Sequence, residues 1–266
     1  MNTIVCVKQI PDPEIPPAKF KLDTECKRVV PPEGIPPVIN PYDERAVELA
    51  LRLKDKHGGK ITIMTIGDDS SIKAIKHALA MGADEGILCK DKAFEDSDSF
   101  SIAYALSQAI QKIKDFDLIL CGRQAADWDE GLVGSIIAEN LDLPLVTLAE
   151  SVEVVAETLK VKRVILDGFQ VFSVPRPAVI TVSHELGQPR LPSGWGIINA
   201  SKKEIPVWSA KDIGVDLSRV GASAFSRELV RLFIPARERE CEFIEGKTAE
   251  EAAVRLAERM RETGTI

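Results

Sequence analysis

The stretch with the clearest chemical potential runs from residue 117 to residue 140 and reads DLILCGRQAADWDEGLVGSIIAEN. Its apolar beginning stops at Gly122, which is typical of a buried parallel strand. A polar loop follows, and the pattern predicts a helix that begins at Asp129 or Glu130. The backbone amides of residues 130–132 would then lie at a helix start, where unsatisfied donors and the helix dipole attract phosphate. The stretch therefore indicates either a phosphate-binding loop or an ordinary turn between a strand and a helix.

Residues that could act as metal ligands or nucleophiles are scattered along the chain. The sequence has three histidines and five cysteines, and no two cysteines form a CxxC pair. This spacing supports neither a metal site nor a catalytic Cys–His pair. We expect the cysteines to be free thiols in a reducing, cytoplasmic compartment; they are Cys6, Cys26, Cys89, Cys121 and Cys241.

The composition is that of an ordinary globular protein. At 266 residues the chain can bury one generous core, or one core and a smaller appendage. Its net charge of −7 argues against a nucleic-acid partner and gives no reason to expect attraction to anionic lipid. No segment approaches the roughly 18 apolar residues that a membrane-spanning helix needs, and Met1 leads directly into a predicted strand rather than a signal peptide. We therefore expect neither nucleic-acid binding nor membrane insertion.

Predicted strands and helices alternate through the first half of the chain. This alternation predicts an α/β fold with a doubly wound parallel sheet and right-handed crossovers. A proline-rich segment between residues 11 and 41 is predicted to form a β-hairpin over the strand ends. No GxGxxG fingerprint occurs, so a bound nucleotide would be held by other turns. The predicted strands span residues 3–7, 60–66, 84–89 and 117–121, and the first three helices begin near residues 41, 72 and 100.

From residue 144 the pattern changes to strand-like runs with few helical spacers. We interpret these runs as antiparallel additions to the sheet, with Asp167 and Gly168 in a tight hairpin turn. The runs are 145–148, 151–155, 159–166, 169–174 and 178–183.

The last third of the chain is rich in turns between residues 184 and 206 and ends in a predicted helix over residues 248–261. Thr248 and Glu251 have the spacing of a capping box at its start. A long ordered tail of this kind is expected to wrap a neighbouring chain. The sequence thus predicts a Rossmann-like domain and an arm, which span residues 1–183 and 184–266.

Several separate stretches resemble the β subunit of electron transfer flavoproteins, in the family's order and spacing from end to end. They read VCVKQIPDPE near the N-terminus, INPYDERAVELALRLK at 39–54, HALAMGADEGIL at 77–88, DLILCGRQAADWDEGLVG at 117–134, PAVITVSHELGQPRLPS at 177–193 and VWSAKDIGVD at 207–216. The family has a Rossmann-like fold of the adenine nucleotide alpha hydrolase type and a C-terminal arm that embraces an α subunit. The resemblance therefore implies this fold and a heterodimer.

The resemblance also implies an electron carrier. The family's α subunit carries an exchanging FAD, and the heterodimer moves electrons between flavin-dependent dehydrogenases and another acceptor. The β subunit holds a nucleotide of its own at strand ends and turns, where the fold argument already expects a ligand. By position, the residues expected to bind it are Cys6, Lys8, Asn40, Pro41, Tyr42, Asp43, Ile66, Gly122, Arg123, Gln124, Ala125, Asp127, Trp128, Asp129, Gly131, Leu132, Val133 and Gly134.

Two branches of the family differ in this nucleotide. One binds structural AMP and relays electrons to a quinone reductase. The other bifurcates electrons, with FAD in the same place and exchange with NAD(H) and a low-potential acceptor such as ferredoxin. Gly-Arg-Gln at 122–124 and Val-Gly at 133–134 resemble the bifurcating branch and favour FAD. At four positions the loop departs from that branch, and Leu132 removes a polar contact, which leaves AMP as the alternative; the four are Trp128, Glu130, Gly131 and Leu132.

Individual side chains of this loop have expected roles. Arg123 is expected to stabilise an anionic reduced flavin, the alternative being a surface pair with Asp127 or Asp129. These two aspartates are expected to cap the following helix rather than to act as acid or base, because the cofactor performs the redox step. Trp128 is expected either to stack on a ring of the ligand or to pack on its own protein.

The resemblance places the docking of a dehydrogenase in the turn-rich segment. Gly194 stands where related proteins have an anchoring leucine, and we predict that Trp195 replaces that anchor, since tryptophan is frequent among interface hot spots. A nucleotide-binding regulatory module of the universal-stress type shares the parallel sheet. The long arm beyond residue 184 argues against that class.

Overall fold

A computed structural model of the chain describes residues 1–25, 27–224, 227, 229–235 and 241–266. The chain forms two compact units, Met1–Arg231 and Leu232–Ile266. This division lies later in the chain than residue 183, where the Rossmann-like domain is predicted to end, and that functional boundary stays a prediction. Cys26, one of the expected free thiols, lies outside the described residues.

The regular elements alternate in the first half of the chain as the sequence predicts. The described strands are β1 (Thr3–Cys6), β2 (Gln9–Ile10), β3 (Lys21–Asp23), β4 (Arg28–Val30), β5 (Val38–Ile39), β6 (Ile61–Ile66), β7 (Glu85–Cys89), β8 (Leu118–Gly122), β9 (Leu145–Val155), β10 (Thr158–Ile165), β11 (Gly168–Pro175), β12 (Ala178–Val182) and β13 (Val207–Trp208). The described α-helices are α1 (Pro41–His57), α2 (Ile72–Met81), α3 (Ser99–Ile113), α4 (Val133–Leu141), α5 (Gly194–Lys202) and α6 (Ala249–Glu262).

Nine of these strands form one sheet in the order β11-β10-β9-β12-β8-β1-β6-β7-β13. Within this order, every pair of neighbours from β9 to β13 runs in parallel. Strand β10 pairs antiparallel with both β9 and β11. The prediction of a doubly wound α/β sheet with antiparallel additions is therefore confirmed. The predicted hairpin in the proline-rich segment is also present, as strands β3 and β4.

For two of the strand-like runs after residue 144, the predicted antiparallel pairing is wrong. Strand β12 is not an antiparallel addition: it pairs in parallel with β8 and with the first half of β9. All five residues of β12 are buried, because the strand lies inside the sheet with neighbours on both sides. The runs at 145–148 and 151–155 are one strand, β9, which continues through Leu148 at a φ of 57°. Only the hairpin of β10 and β11 is antiparallel throughout, with Asp167 in its turn.

The core lies in two layers, one on each face of the sheet. Because successive side chains of a strand point to opposite faces, Val5 packs in one layer and Ile4 in the other. The first layer contains the apolar faces of α1 and α2, and the second contains those of α3 and α4. Each fully buried aliphatic side chain stabilises the fold by roughly 1.5–3 kcal/mol. The two layers hold the strand ends, and hence the loops that follow them, in fixed positions.

A helix, α5, occupies part of the segment that the sequence assigns to turns. Ser193 caps it by accepting a hydrogen bond from the Gly196 amide at 3.0 Å. A Cβ atom at Gly196 would lie 2.1 Å from the carbonyl oxygen of Ala80, so only glycine allows α5 to approach α2 this closely. Cap and close packing together form a helix in spite of the two glycines in its first turn.

The second unit contains the terminal helix that the sequence predicts. Thr248 caps α6 and accepts a hydrogen bond from the Glu251 amide at 3.2 Å, and the Glu251 carboxylate accepts one from the Lys247 amide at 2.9 Å. No described residue of this unit is buried. Among the residues that the structure describes, no helix is long and apolar enough to cross a membrane. Whether the arm wraps a neighbour stays a prediction.

Candidate functional site: the crevice at the switch point of the sheet

The predicted nucleotide residues converge where the order of the strands reverses. Strand β1 lies between β6 and β8, so the chain builds the sheet outward from β1 first on one side and later on the other. In open α/β sheets such a switch point leaves a crevice outside the carboxyl ends of the strands, where ligands bind. Cys6 is the last residue of β1, Ile66 ends β6 and Gly122 ends β8. The fold therefore brings these three together at the crevice, and Lys8 follows β1.

Asp43 fastens the two strands at this point. It lies buried in the first turn of α1, and its carboxylate accepts hydrogen bonds from the Lys8 amide at 2.8 Å and the Gly122 amide at 3.0 Å. Burial raises the pKa of Asp43 to about 7. Hydrogen bonds from the Asn40 side chain and from the two amides favour the charged form and partly offset this rise. A single carboxylate thus joins β1, β8 and α1.

Gly122 leaves no room for any larger residue. A Cβ atom at this position would lie 2.4 Å from Asp43 Oδ1 and 2.7 Å from the Cβ atom of Tyr42. Gly134, in the first turn of α4, is equally enclosed, because its Cβ atom would lie 2.6 Å from Thr181 Cγ2. These two glycines allow α1 and α4 to pack directly on the strand ends, and this packing sets the shape of the crevice.

Asn40 holds the first half of the loop that follows β8. Its side chain donates to the Gln124 carbonyl at 2.8 Å and accepts from the Ala126 amide at 3.2 Å. Its own amide donates to the Lys8 carbonyl at 2.9 Å. Asn40 is buried, and Pro41 begins α1 directly after it. The predicted residues at the start of α1 therefore position the loop as well as the crevice.

Lys8 and Asp127 close the loop over the end of β1. The Lys8 ammonium forms an ion pair with Asp127 Oδ2 at 2.6 Å. The other carboxylate oxygen, Asp127 Oδ1, is buried and has no hydrogen-bond partner within the described part of the chain. A buried carboxylate oxygen without a donor is unfavourable by about 1–3 kcal/mol or more. The crevice thus presents an acceptor that a ligand hydroxyl or N–H group could satisfy.

The second half of the loop departs from the predicted helix start. Helix α4 begins at Val133, with Leu132 before it and no side-chain cap, so neither Asp127 nor Asp129 caps it. The prediction of a helix from Asp129 or Glu130 was wrong because Asp129 and Gly131 have φ values of 53° and 65°, which no helix allows. The amides at the start of α4 are therefore those of Leu132, which stands at the N-cap, and of the first turn from Val133, rather than those of Glu130 and Gly131.

Asp129 pairs within the loop, and Trp128 is half exposed. Asp129 accepts a hydrogen bond from Gln124 Nε2 at 2.7 Å, and its amide donates to the Ala125 carbonyl at 2.8 Å. Trp128 is 50% exposed, so its ring is largely free of its own protein. A Cβ atom at Gly131 would lie 3.1 Å from the Arg123 carbonyl oxygen. The loop therefore closes on itself and leaves an indole ring at its surface.

Arg123 pairs with neither aspartate that the sequence offered as its partner. Its Nε atom donates to Gln124 Oε1 at 3.0 Å, its amide donates to the Val182 carbonyl at 2.9 Å, and the guanidinium lies 5.8 Å from the ring centre of Tyr42. Burial would raise the pKa of Glu185, but the hydrogen bond from the Ser183 hydroxyl lowers it, and the charge of Arg123 adds to this lowering. A positive charge therefore lies where β8 and β12 end.

Two residues at this site were missed by the sequence reasoning. Glu185 carries a carboxylate to which the Ser183 hydroxyl donates a hydrogen bond, and the charge of Arg123 acts on it. Glu130 contacts Ser99 and Arg227, both of them distant in the sequence. Both acids lie within stretches that indicated the family, but their spacing in the sequence does not predict the residues with which they pair. Burial raises the pKa of the Cys89 thiol to about 12, and hydrogen bonding with Cys6 and burial raise the pKa of Cys121, so both thiols stay protonated at neutral pH.

Comparison with known proteins gives the family. A family model described as the electron transfer flavoprotein domain matches residues 29–213. The chain is 39% identical over 267 residues to the electron transfer flavoprotein subunit beta of Thermoanaerobacterium thermosaccharolyticum, with 100% of both chains covered. It is 36% identical over 267 residues to the Caffeyl-CoA reductase-Etf complex subunit CarD of Acetobacterium woodii, again with 100% of both covered. It is also 33% identical over 244 residues to protein FixA of Azorhizobium caulinodans, covering 89% of this chain and 85% of that protein.

These matches extend over the stretches that indicated the family from the sequence, and that prediction is confirmed. The family model covers well over half of the chain, and the relatives match along most of their own length. Asp43 and the loop after β8 lie within the residues that the family model matches, and Cys6 and Lys8 lie within the full-length match to the relative from Thermoanaerobacterium thermosaccharolyticum. The chain therefore belongs to the family of electron transfer flavoprotein β subunits.

Proposed function

We propose that this β subunit forms a heterodimer with an α subunit and holds FAD in the crevice at the switch point of its sheet. We further propose that the heterodimer bifurcates electrons among NAD(H), a flavin-dependent dehydrogenase and a low-potential acceptor such as ferredoxin. The observation that carries the nucleotide site is the buried Asp127 Oδ1, for which none of the described residues supplies a hydrogen bond. The relative named as a subunit of a caffeyl-CoA reductase–Etf complex supports a role within a larger redox assembly.

The residues present fit a dinucleotide with phosphates. Lys8 and Arg123 bring two cations to the crevice, and the first amides of α4 lack intrahelical partners. Asp127 Oδ1 would accept a hydrogen bond from a hydroxyl or N–H group of the ligand. The exposed ring of Trp128 offers a stacking surface to a flavin or an adenine. Positive charge, free donors, a free acceptor and an aromatic surface thus occur together at one switch point.

The chain itself contributes binding and positioning rather than a reacting side chain. When bound, a flavin accepts a hydride and passes its electrons on singly. Arg123 would favour negative charge near the ends of β8 and β12, with its own position fixed by Gln124 and Val182. Asp43 and Asn40 would keep the strand ends and the loop in register, so that the ligand meets a preformed site.

AMP in the same crevice is the second candidate. Leu132 is the observation that favours it, because this residue precedes α4 without any side-chain hydrogen bond and supplies no polar contact to a larger ligand. In that case the heterodimer would relay electrons from dehydrogenases to a quinone reductase, with a flavin in the α subunit alone.

The ligand count decides between these candidates. We would produce this chain together with its α subunit, denature the purified complex, and identify the released nucleotides by mass spectrometry and flavin absorbance. Two FAD molecules for each heterodimer are expected for the bifurcating protein, and one FAD with one AMP would support the relay instead. A complex with neither nucleotide in this chain would contradict both candidates.

A pair of variants tests the residue on which the site depends. Asp127→Asn should weaken retention of the nucleotide about tenfold or more, since it removes both the ion pair with Lys8 and the free carboxylate oxygen. Asp142→Asn is the matched control, because Asp142 follows the last residue of α4, at the end of the helix opposite the crevice. Equal retention by both variants, measured by dialysis and flavin fluorescence, would show that Asp127 does not contact the ligand.

A further inference from the structure

Glu130 carries contacts that leave the nucleotide loop. Its carboxylate accepts a hydrogen bond from the hydroxyl of Ser99, the first residue of α3. It also forms an ion pair with Arg227 at 2.9 Å between Oε1 and Nη1. Asn40 and Lys8 hold the first half of the loop, whereas these two contacts hold its second half. Glu130 therefore joins the loop to two elements that take no part in the crevice.

The backbone on both sides of Glu130 depends on these contacts. Asp129 and Gly131 flank it with φ values of 53° and 65°, which is a backbone conformation that residues other than glycine rarely adopt. For Asp129 this conformation costs free energy that local contacts must offset. The hydrogen bonds of Asp129 with Gln124 and Ala125 hold one side of the bend, and the contacts of Glu130 with Ser99 and Arg227 hold it at its centre. When they are lost, we expect the bend to relax, and with it the position of Trp128 and Leu132.

Arg227 lies close to the end of the first unit, which extends to Arg231. Its guanidinium lies 6.0 Å from the ring centre of Phe100. Two residues further on, the Leu229 carbonyl accepts a hydrogen bond from Lys27 Nζ at 2.6 Å. Arg227 is thus fastened to the nucleotide loop, and Leu229 to the hairpin region.

The second unit continues the chain after these two residues, and it buries none of its described residues. Its large apolar side chains are exposed, and a helix of 14 residues such as α6 is only marginally stable without tertiary packing. A partner that covers this unit must therefore also restrain the chain that precedes it. The exposed residues are Phe233, Ile234, Phe243, Val254 and Leu256.

We infer that the Glu130–Arg227 ion pair is a positioning contact that couples occupancy of the nucleotide site to attachment of the arm by the α subunit. This inference rests on the proposed function. Restraint of residues 227–229 by a bound partner would hold Arg227 against Glu130, and Glu130 would hold the loop in its ligand-binding form. Because such coupling is reciprocal, bound nucleotide should strengthen attachment of the α subunit by the same factor.

The test uses the full heterodimer and the nucleotide that it carries, identified by mass spectrometry. Glu130→Gln and Arg227→Gln should each speed release of this nucleotide about three- to tenfold, the range expected for losing one charge-assisted contact. The double variant should release it no faster than the faster single variant, and the exchanged pair Glu130→Arg with Arg227→Glu should recover part of the loss. Glu153→Gln is the matched control, because Glu153 pairs with Lys160 on the β9–β10 hairpin at 3.8 Å.

A second readout separates coupling from simple loosening of the fold. In the unaltered heterodimer, removal of the nucleotide should raise the dissociation constant of the α subunit severalfold, and in Glu130→Gln this dependence should largely disappear. Release rates within twofold of the unaltered protein in both single variants would overturn the inference, and so would additive effects in the double variant. Should the unaltered heterodimer carry no nucleotide in this chain, the proposed function itself fails, and the inference fails with it.

Discussion

The two units of this chain differ in how each is stabilised. The first buries a layer of apolar side chains on each face of its sheet. The second buries none of its described residues and relies on a cap and on exposed ion pairs such as Arg255–Glu251 at 2.6 Å. Exposed pairs of this kind contribute only about 0.2–1 kcal/mol each. The first unit therefore contains its own source of stability, whereas the described residues of the second form no core of their own.

The largest expected difference between the units concerns a leucine truncation in each. Leu120→Ala removes a side chain that is 0% exposed in the centre of β8, and it should lower the free energy of unfolding by about 2–5 kcal/mol. Leu256→Ala removes a side chain that is 47% exposed in α6 and should change the stability of the single chain by less than about 0.5 kcal/mol. Urea denaturation of both variants measures the contrast. A similar loss in both would contradict the view that the second unit lacks a core of its own.

The next effect concerns pH and belongs to the first unit alone. The pKa of Asp43 rises from its ordinary value of 3.8 to about 7 on folding, mainly through burial. The folded state therefore binds more protons than the unfolded state between these values, and stability must fall as pH rises through this window. The slope is roughly 1.4 kcal/mol for each pH unit, and it levels off above about pH 7.

Asp43→Asn isolates this contribution, because the asparagine side chain does not titrate. The free energy of unfolding of the unaltered chain, measured by urea denaturation from pH 5 to pH 8, should fall relative to that of the variant and then run parallel to it. Comparing the two proteins removes the contributions of all other titrating groups. Parallel curves across the whole range would mean that the clamp of β1, β8 and α1 is charged throughout.

A smaller effect is expected in the second unit from loss of its helix cap. Thr248→Ala removes the acceptor of the Glu251 amide and should destabilise α6 locally by about 1 kcal/mol. Hydrogen exchange of the α6 amides should become faster, while the urea midpoint of the first unit stays the same. Thr265→Ala, beyond the end of the helix, serves as the control. A shift of the global midpoint would show that α6 stabilises the sheet, and would contradict the view that the first unit is stable without it.

Much of the fold could be predicted because the local pattern and the tertiary environment agree. The apolar runs at β1, β6, β7 and β8 are buried on both faces, and this is the signal that a parallel strand leaves in a sequence. The direction of β12 could not be predicted in the same way. A short buried run such as Ala-Val-Ile-Thr-Val has the same appearance in a parallel and in an antiparallel pair, and only the partner strands decide between them.

The other differences arise where tertiary contacts override local preference. Helix α5 was missed because glycine disfavours a helix by about 1 kcal/mol relative to alanine, whereas the contact of Gly196 with Ala80 requires glycine there. Helix α4 was placed too early because Asp127 and Asp129 resemble caps, but Lys8 and Gln124 occupy their carboxylates. The position of the crevice could be predicted, since strand ends at a switch point follow from topology. The contacts that shape the loop could not be predicted.

The smallest change in stability, with a clear effect on binding, is expected at Trp195. Its side chain is 77% exposed at the start of α5, so Trp195→Ala should change the free energy of unfolding by less than about 0.5 kcal/mol. If Trp195 anchors the dehydrogenase, the same change should weaken docking by about 2 kcal/mol or more, as for an interface hot spot. A Cβ atom at Gly194 would meet no atom within 4 Å, so Gly194→Leu adds a side chain without strain. In the Trp195→Ala background this leucine should restore part of the affinity, measured by coupled electron transfer with the partner dehydrogenase. Unchanged affinity in Trp195→Ala would mean that the dehydrogenase docks on another surface. The exposed tryptophan would then contribute neither to the stability of the first unit nor to docking.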